Sequence, residues 1–307
     1  MARVAPSSLP PLDITRAPEG GEVGPVQTGF RLALREFMRN RLAVVGLGIL
    51  VFFVLFCFAG PLVYHANLAN TDLVNTNLPP GPGHPLGTDN LGFDNLGELM
   101  KGGQSALEIG FLAATIGIVL GALWGAVAGL AGGILDSAMM RVVDVFLSIP
   151  FLFIVLIVAV KYGASVLGLS LIIGGFTWLV PARLVRGEVL SLRERDFVLA
   201  ARTAGASRWR LVSRHLIPNA LGVVIVNVTF QVAGAILAVS YVGFLGFGLH
   251  FPNVDWGDQL SDGATYLQDG YWWLIYPVGA CIVLTVMALN FIGDALRDAM
   301  DVRLRRR

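Results

Sequence analysis

Arginine is concentrated between residues 183 and 214, and these side chains offer the clearest binding chemistry in the sequence. Eight arginines lie in this interval, against three acidic residues, Glu188, Glu194 and Asp196. Guanidinium groups form paired hydrogen bonds with carboxylates and phosphates. The interval can therefore dock on an acidic protein surface or on anionic lipid. We call residues 193–219 the Arg-rich segment.

The Arg-rich segment is predicted to form two short helices joined by a turn. Apolar and small residues recur at helical spacing from 197 to 204, and Gly205 can end that helix. Ser207 can cap a second helix that carries Trp209 as an aromatic anchor, before Pro218 restarts the chain. Such a unit fits a groove of a partner protein, or a membrane surface with its arginines against lipid headgroups. The residues alone favour neither.

Patterns for catalysis or metal binding are missing from the sequence. The four histidines lack metal-ligand spacing, and neither an HExxH motif nor the phosphate-binding motif GxxxxGK[ST] occurs. Cys57 and Cys281 lie within apolar runs, where thiols serve as packing residues. We therefore predict no catalytic residue, no metal and no cofactor in this chain.

The composition indicates a membrane protein. Of the 307 residues, 55% are hydrophobic and 14% are charged, against roughly 25% charged in soluble domains. Six apolar runs approach the length needed to cross about 30 Å of hydrocarbon. The predicted fold class is all-α and polytopic, with about six transmembrane helices, at 42–64, 106–130, 139–160, 166–184, 220–245 and 272–291.

Polar and small residues inside these runs predict helix contacts. Glycine recurs every fourth residue from Gly117 to Gly129, which lets another helix approach closely. Asn227 and Gln231 are spaced i, i+4 and share a helix face. These amides can line a translocation path or hydrogen-bond to a neighbouring helix, and both interpretations stay open. Arg141 and Asp144 are predicted to be a structural pair at the start of the third run.

Basic residues are distributed unequally between the two sides of the membrane. With the N-terminus inside, the loops predicted outside carry Lys101 and Lys161, and the other 20 of the 22 basic residues lie inside. Cytoplasmic loops are enriched in Lys and Arg, so both termini and the Arg-rich segment are predicted to be cytoplasmic.

The chain divides into five predicted parts. The first part, residues 1–29, lacks the apolar core of a signal peptide and is rich in Pro, Gly and Ser. The stretch 84–101 has turn signals at Pro85 and Gly87 and then a possible short amphipathic helix from about Asp94, and the stretch 246–270 is acidic and rich in glycine. Both stretches fit either solvated connections or an outer docking surface. The parts are a disordered cytoplasmic tail (1–29), a basic amphipathic lead-in with the first span (30–64), an extracytoplasmic loop (65–105), a core domain (106–298) and a basic cytoplasmic tail (299–307).

Five separated sequence blocks carry a family resemblance. AARTAGASRWRLVSRHLIPN (200–219) resembles the EAA loop of ABC-importer permeases, with its fixed Gly and later Pro at Gly205 and Pro218. The other blocks are similar to the second (C-type) permease of dipeptide, oligopeptide and nickel-peptide importers. They are HPLGTDNLGFDNL (84–96), GGxxDxxxMRxxDxxxxxP (132–150), VGFLGFGL with WGDQLSDG (242–249 and 256–263), and NFIGDALRDAMDVRLR (290–305).

The resemblance implies a type I ABC importer transmembrane domain in a bacterial inner membrane. Expected partners are a homologous second permease, two ATP-binding subunits that hold ATP and Mg, an extracytoplasmic substrate-binding protein and membrane lipid, without nucleic acid. The loop 186–219 is expected to couple to the ATPases. Its expected coupling residues are Leu199, Ala200, Ala201, Arg202, Gly205, Ala206, Ser207, Arg208, Trp209, Arg210 and Pro218.

The sequence departs from the family pattern at three places. Leu199 stands where the EAA signature usually has Glu, and Phe93 stands where Arg is common. Residues 102–104 read GGQ where relatives carry a GAR-like triplet. The first departure puts in doubt any salt bridge at that position, and the other two concern the outer face.

A secondary transporter or channel for a small solute is the alternative. It explains six spans and buried amides, but secondary transporters often show internal repeats and charges at membrane depth. Neither is evident, and this class leaves the Arg-rich segment unexplained. An adjacent related permease and P-loop ATPases in the genome would favour the importer.

Overall fold

The structure, a computed structural model, describes residues 29–305 except 67, 69, 163, 196–197, 199–202, 204, 206–216 and 250–252. It is helical, and its described part contains isolated β-bridges but no strand. The helices are α1 Gly29–Arg39, α2 Arg41–Phe58, α3 Gly60–Val63, α4 Asn95–Ala131, α5 Gly133–Leu147, α6 Phe151–Tyr162, α7 Val166–Thr177, α8 Leu179–Arg193, α9 Ile217–Val242, α10 Trp256–Thr265 and α11 Tyr276–Arg305.

The described helices provide up to six membrane spans, as predicted. Four spans are single stretches that are long and apolar enough, and they involve α2, α4, α9 and α11. The pairs α5–α6 and α7–α8 complete the set if each bent pair is one span. They bend by 73° and 42°. Pro150 lies at the first bend, and Pro181 lies in the first turn after the second, where each lacks the N–H that a continuous helix needs.

Helix α4 begins earlier than hydropathy predicts. The predicted span starts at residue 106, but the Asp94 side chain accepts a hydrogen bond from the Gly97 N–H at 2.9 Å and caps a helix that continues to Ala131. Gly102 and Gly103 lie within this helix and face the indole of Trp256, where larger side chains would not fit. The last residues of the predicted loop 65–105 are therefore helical.

The long helix α4 organises the molecule. It packs along α7, α8 and α9, and α2 and α11 complete the bundle. Its 37 residues span about 55 Å at 1.5 Å per residue. We call the end at Asn95 the cap end, where the described residues of 64–94 and of 253–275 lie. We call the end at Ala131 the loop end, where α8 leads into the Arg-rich segment.

The lead-in before the first span is also helical. Helix α1 packs on α11, with Phe37 in a small apolar cluster beside Ile292. Asn40 separates α1 from α2, and its side chain accepts from the Leu42 N–H at 3.0 Å. This cap ends the break between α1, which includes residues 30–39, and α2, and it places the start of the first span at Arg41.

Candidate functional site

Helix α8 carries the chain into the Arg-rich segment, and it lies directly against α4. A Cβ at Gly121 would lie 2.6 Å from the carbonyl oxygen of Trp178, and one at Gly129 would lie 2.9 Å from Cγ1 of Val189. Side chains do not tolerate such distances, so the glycine stripe is what allows the contact. The predicted close approach is confirmed, and the approaching helices are α7 and α8.

An ion pair holds α8 at the loop end. Arg186 donates to both carboxylate oxygens of Asp136 on α5, from Nε at 2.6 Å and from Nη2 at 2.7 Å. Two turns further along α8, Arg193 donates from Nη1 to the carbonyl oxygen of Gly129 at 3.2 Å. Two arginines of the Arg-rich interval therefore brace the scaffold, and they are not free to bind a partner.

Asp144 makes a different pair from the one predicted. Its carboxylate accepts from Nη2 of Arg183 at 2.6 Å, whereas Arg141 lies 4.0 Å away with 82% of its side chain exposed. The predicted pairing of Arg141 with Asp144 is present but marginal. The shorter contact ties α5 to α8, as the Asp136–Arg186 pair does.

Val198 is a residue of the Arg-rich segment that the sequence pattern did not single out. It is 1% exposed and packs in a cluster with Ala126 on α4 and with Val185, Val189 and Leu192 on α8. The three α8 residues recur at i, i+4 and i+7, which marks the inward face, and Val198 extends that face past the helix end. The start of the segment is thus anchored apolarly to the bundle.

The cap end is held by carboxylates that accept backbone hydrogen bonds. Asp255 is fully buried, and its two oxygens accept from the N–H groups of Leu249, Gly257 and Asp258 at 2.8–2.9 Å. The buried indole of Trp256 donates to the carbonyl oxygen of Leu99 at 2.9 Å. These bonds fasten the segment before α11 to the first turns of α4.

The residues that depart from the family pattern at the outer face, Phe93 and 102–104, take part in this packing. Phe93 is buried at 4% exposure. A Cβ at Gly103 would meet the Trp256 ring at 2.7 Å, and Gln104 donates to the carbonyl oxygen of Cys57 at 2.7 Å. The sequence GGQ therefore joins α4 to α2 and to the buried tryptophan.

Comparison with known proteins decides the family. The family described as "Binding-protein-dependent transport system inner membrane component" matches residues 111–306, and the "N-terminal TM domain of oligopeptide transport permease C" matches residues 28–80. The chain belongs to this permease family.

Relatives match along most of the permease. It is 38% identical to the dipeptide transport system permease protein DppC of Bacillus subtilis, over 89% of this chain and 86% of the relative. It is 40% identical to the oligopeptide transport system permease protein OppC of Escherichia coli, over 88% of this chain and 89% of the relative. These matches confirm the resemblance inferred from the sequence blocks.

A solved structure supports the fold. The permease resembles a chain of the inward-facing MetNI methionine ABC transporter, with a TM-score of 0.52 and 22% identity over 66% of this chain and 95% of that chain. At this identity the likeness shows the fold alone. The predicted all-α transmembrane domain of a type I importer is confirmed.

Most of the predicted coupling residues lie outside the described residues. These are Leu199, Ala200, Ala201, Arg202, Ala206, Ser207, Arg208, Trp209 and Arg210. Gly205 is described and has φ of +82°, a left-handed conformation that favours glycine and fits the predicted turn. Pro218 is the second residue of α9, where a proline at a helix start needs no N–H partner.

Gln231 lies where a helix bend frees a carbonyl group. Pro181 has no N–H, so the carbonyl oxygen of Thr177, four residues earlier, lacks its normal helical donor. The Gln231 amide of α9 donates to this oxygen at 2.7 Å. Asn227, on the same face, lies beside Pro181 and Leu184 between α8 and α9. The Gln231 contact favours the helix-to-helix role over lining the path.

The described residues contain no group of three His, Cys, Asp or Glu side chains placed to hold a metal ion. The described residues instead show a mechanical connection between α8 and the rest of the helix bundle. Helix α8 bends at Trp178, is fixed to α4 and α5 by glycine contacts and ion pairs, and continues into the Arg-rich segment. Helix α8 therefore connects the start of that segment to α4 and α5.

Proposed function

We propose that this chain is one of two transmembrane subunits of an ATP-driven bacterial importer of dipeptides or oligopeptides, and that it forms half of the translocation path. The observation that carries the proposal is the match of both family regions in order along the chain. Relatives named as dipeptide and oligopeptide permeases support the substrate class.

The Arg-rich segment is the coupling element of this importer. The chain has no phosphate-binding motif, so ATP and Mg belong to two partner ATPase subunits. Closure of those subunits would push the segment, and α8 would carry the movement to α4 and α5 as a rigid-body change between inward- and outward-facing states. The anchoring of Val198 and the Asp136–Arg186 pair supports this route.

The cap end faces outward in the proposed orientation. The Arg-rich segment carries most of its charge as arginine, so it and both termini lie on the cytoplasmic side of the inner membrane. The cap end lies at the other end of α4, about 55 Å away. There it meets the extracytoplasmic substrate-binding protein, and the related second permease completes the path.

The test is uptake of a labelled dipeptide panel into proteoliposomes that contain the four-subunit membrane complex, with the binding protein outside and ATP inside. We expect uptake to require internal ATP and the binding protein, and to persist when ionophores collapse ion gradients. Uptake that runs on an ion gradient without ATP would instead support a secondary transporter.

A further inference from the structure

A groove lies between α2 and α4 and is also lined by α9 and α11. We call it the α2–α4 groove, and its volume is about 570 Å³. Its residues from α2 are Leu50, Val54 and Phe58, which lie on successive turns, so the groove follows that helix for about 12 Å. Apart from Glu108 and Thr229, the described residues around it are apolar, and Glu108 of α4 is the one charged residue among them.

Glu108 lies near the middle of the membrane. Hydropathy started the second span at residue 106, but α4 begins at Asn95, so Glu108 lies about 20 Å into the helix. Val54 of α2 and Val232 of α9 line the same groove, and they lie at the centres of the predicted apolar runs 42–64 and 220–245. These two helices therefore place the groove near mid-depth.

The Glu108 carboxylate has no hydrogen-bond or ion-pair partner in the described part of the chain. It is exposed on the side of α4 opposite Gly117, which packs on α7. Lys101, two turns nearer the cap end, donates to the side-chain oxygen of Gln104 at 3.2 Å. Ionisable residues in membrane spans are costly in hydrocarbon, so they face a protein partner or a water-filled cavity. Lipid tails therefore do not satisfy this face of α4.

Contacts between the surrounding helices fix the shape of the groove. Toward the cap end, Gln104 of α4 donates to the carbonyl oxygen of Cys57 on α2 at 2.7 Å. Toward the loop end, α2 packs on α11, where a Cβ at Gly46 would lie 2.8 Å from the carbonyl oxygen of Ala288. The groove is thus formed in the isolated chain, before a partner occupies it.

The lining favours a transmembrane helix over a peptide substrate. An extended peptide needs hydrogen bonds for its backbone. Among the described residues, only Glu108 and Thr229 offer polar side chains, and the Thr229 hydroxyl already donates to the carbonyl oxygen of Val226 at 2.9 Å. A helix satisfies its own backbone groups and presents an apolar surface to the groove. A basic side chain on that helix would supply the donor that an unpaired carboxylate requires.

A second copy of this chain does not supply such a side chain at the right depth. The six predicted apolar runs contain two basic residues, Arg141 and Arg183. Both lie toward the loop end, where Arg183 pairs with Asp144 and Arg141 lies 4.0 Å from it. The cation that meets Glu108 at mid-depth therefore comes from a different protein.

We propose that the α2–α4 groove receives a transmembrane helix of the second permease, and that a lysine, arginine or histidine of that helix pairs with Glu108. The proposal rests on the proposed function, which supplies the second permease. The apolar lining packs against the helix, and the ion pair fixes its depth and register. Because this chain has no basic residue at mid-depth in its predicted runs, the pair also favours the heterodimer over two copies of this chain.

The first test identifies the occupant of the groove. The photo-cross-linker benzoylphenylalanine replaces Phe111, an exposed groove residue, in the complete importer in lipid nanodiscs. We expect a cross-link to a helix of the second permease that carries a basic residue at mid-depth. The same probe at Phe153, an exposed residue of α6 outside the groove, should not reach that helix. Cross-links only to lipid, to a labelled peptide substrate or to a second copy of this chain would overturn the proposal.

The second test measures the Kd of the two permeases in liposomes, by energy transfer between labelled subunits as the protein-to-lipid ratio falls. Glu108→Leu should raise Kd about tenfold, because the basic group of the partner loses its acceptor. Glu108→Gln keeps the shape and a hydrogen bond, and should raise Kd about threefold. Thr115→Val is the matched control. Thr115 lies two turns along the same face, outside the groove, and its hydroxyl already donates to the Phe111 carbonyl oxygen at 2.8 Å, so Kd should not change.

A charge exchange completes the test. Glu108→Lys alone should abolish association, and association should recover when the basic residue of the cross-linked helix is changed to Glu in the second permease. An unchanged Kd in Glu108→Leu, or no recovery on exchange, would overturn the proposal even with ATP-driven uptake intact in the wild type. Wild-type permeases that associate through Glu108 without any ATP-driven uptake would support the contact and contradict the proposed function.

Discussion

The contacts around the two ends of α4 differ in their chemistry. At the loop end, arginines of α8 pair with carboxylates of α5, and the side chains of Arg183 and Asp144 are about half exposed. At the cap end, buried carboxylates accept backbone N–H groups, and Asp255 is fully buried with three such bonds. Side-chain pairs between helices can shift as the helices move, whereas backbone-directed bonds fix one loop conformation. The contacts at the loop end can therefore rearrange, whereas those at the cap end hold one conformation.

Removing the Asp255 carboxylate should have the largest effect on stability. Asp255→Ala removes the acceptor of two buried N–H groups, those of Leu249 and Gly257, and of the part-buried Asp258 N–H. Each buried group left unpaired costs about 1–3 kcal/mol. We expect the cap end to lose its structure and docking of the binding protein to be lost. Asp72→Ala, in which the lost acceptor is exposed, should change little. Thermal unfolding in detergent measures the stability of each variant, and a docking assay measures its affinity for the binding protein. Equal stability of the two variants would contradict the claim that the buried Asp255 carboxylate holds the cap end.

Filling the glycine stripe should have the next largest effect. A Cβ at Gly125 would overlap the carbonyl oxygen of Ala182 on α8, so Gly125→Ala should cost about 1–3 kcal/mol. Gly187, on α8, has open space around it. Gly187→Ala should therefore be neutral or stabilise by up to about 1 kcal/mol. The difference in melting temperature measures the contact, and a stable Gly125→Ala permease would refute close packing of α8 on α4.

The two ion pairs of the loop end should differ in strength. Asp136→Asn breaks a two-bond contact whose carboxylate is only 10% exposed, and we expect a loss of about 1–2 kcal/mol with reduced coupling of ATP hydrolysis to uptake. Asp144→Asn, in a pair that is half exposed, should cost below about 1 kcal/mol. The ratio of uptake to ATP hydrolysis reports the coupling. The reversed order of effects would mean that the Arg183 contact is the main brace.

The smallest effect is expected from Gln231. Gln231→Leu leaves the Thr177 carbonyl at the α7–α8 bend without its donor, which should cost about 1 kcal/mol. We expect uptake by the folded fraction to stay unchanged, because the amide already donates to the neighbouring helix. Altered peptide selectivity at wild-type stability would instead place Gln231 on the translocation path.

Local sequence patterns predicted the spans and the close helix contact at the glycines. They did not predict which residues pair with each other across the fold. Hydropathy located six apolar runs, and the four-residue glycine spacing predicted a close helix. The pair Asp136–Arg186 joins residues 50 positions apart, and Gln259 meets Glu98 across 161 positions. Tertiary packing alone creates such contacts, so a single sequence does not specify them. Hydropathy began the second span at residue 106 because it ignores the Asp94 cap, whereas the local pattern had indicated a short helix from about Asp94, where α4 begins.

The bend at Trp178 also shows that a local pattern predicts a span but not the contacts it makes. The apolar run 166–184 predicted one span and did not indicate the bend that the structure shows before Pro181. The freed Thr177 carbonyl and the position of Gln231 become related only when α7 and α9 are placed side by side.

The most direct measurement of the central claim is co-purification of the ATPase subunits with this permease. The double variant Arg208→Glu/Arg210→Glu reverses charge within the Arg-rich segment, and Arg141→Glu reverses an arginine on the same side outside it. We predict that the first variant inserts normally but loses the ATPases and ATP-driven uptake, while the second retains both. Full retention of the ATPases and of uptake by the first variant would contradict coupling through the Arg-rich segment.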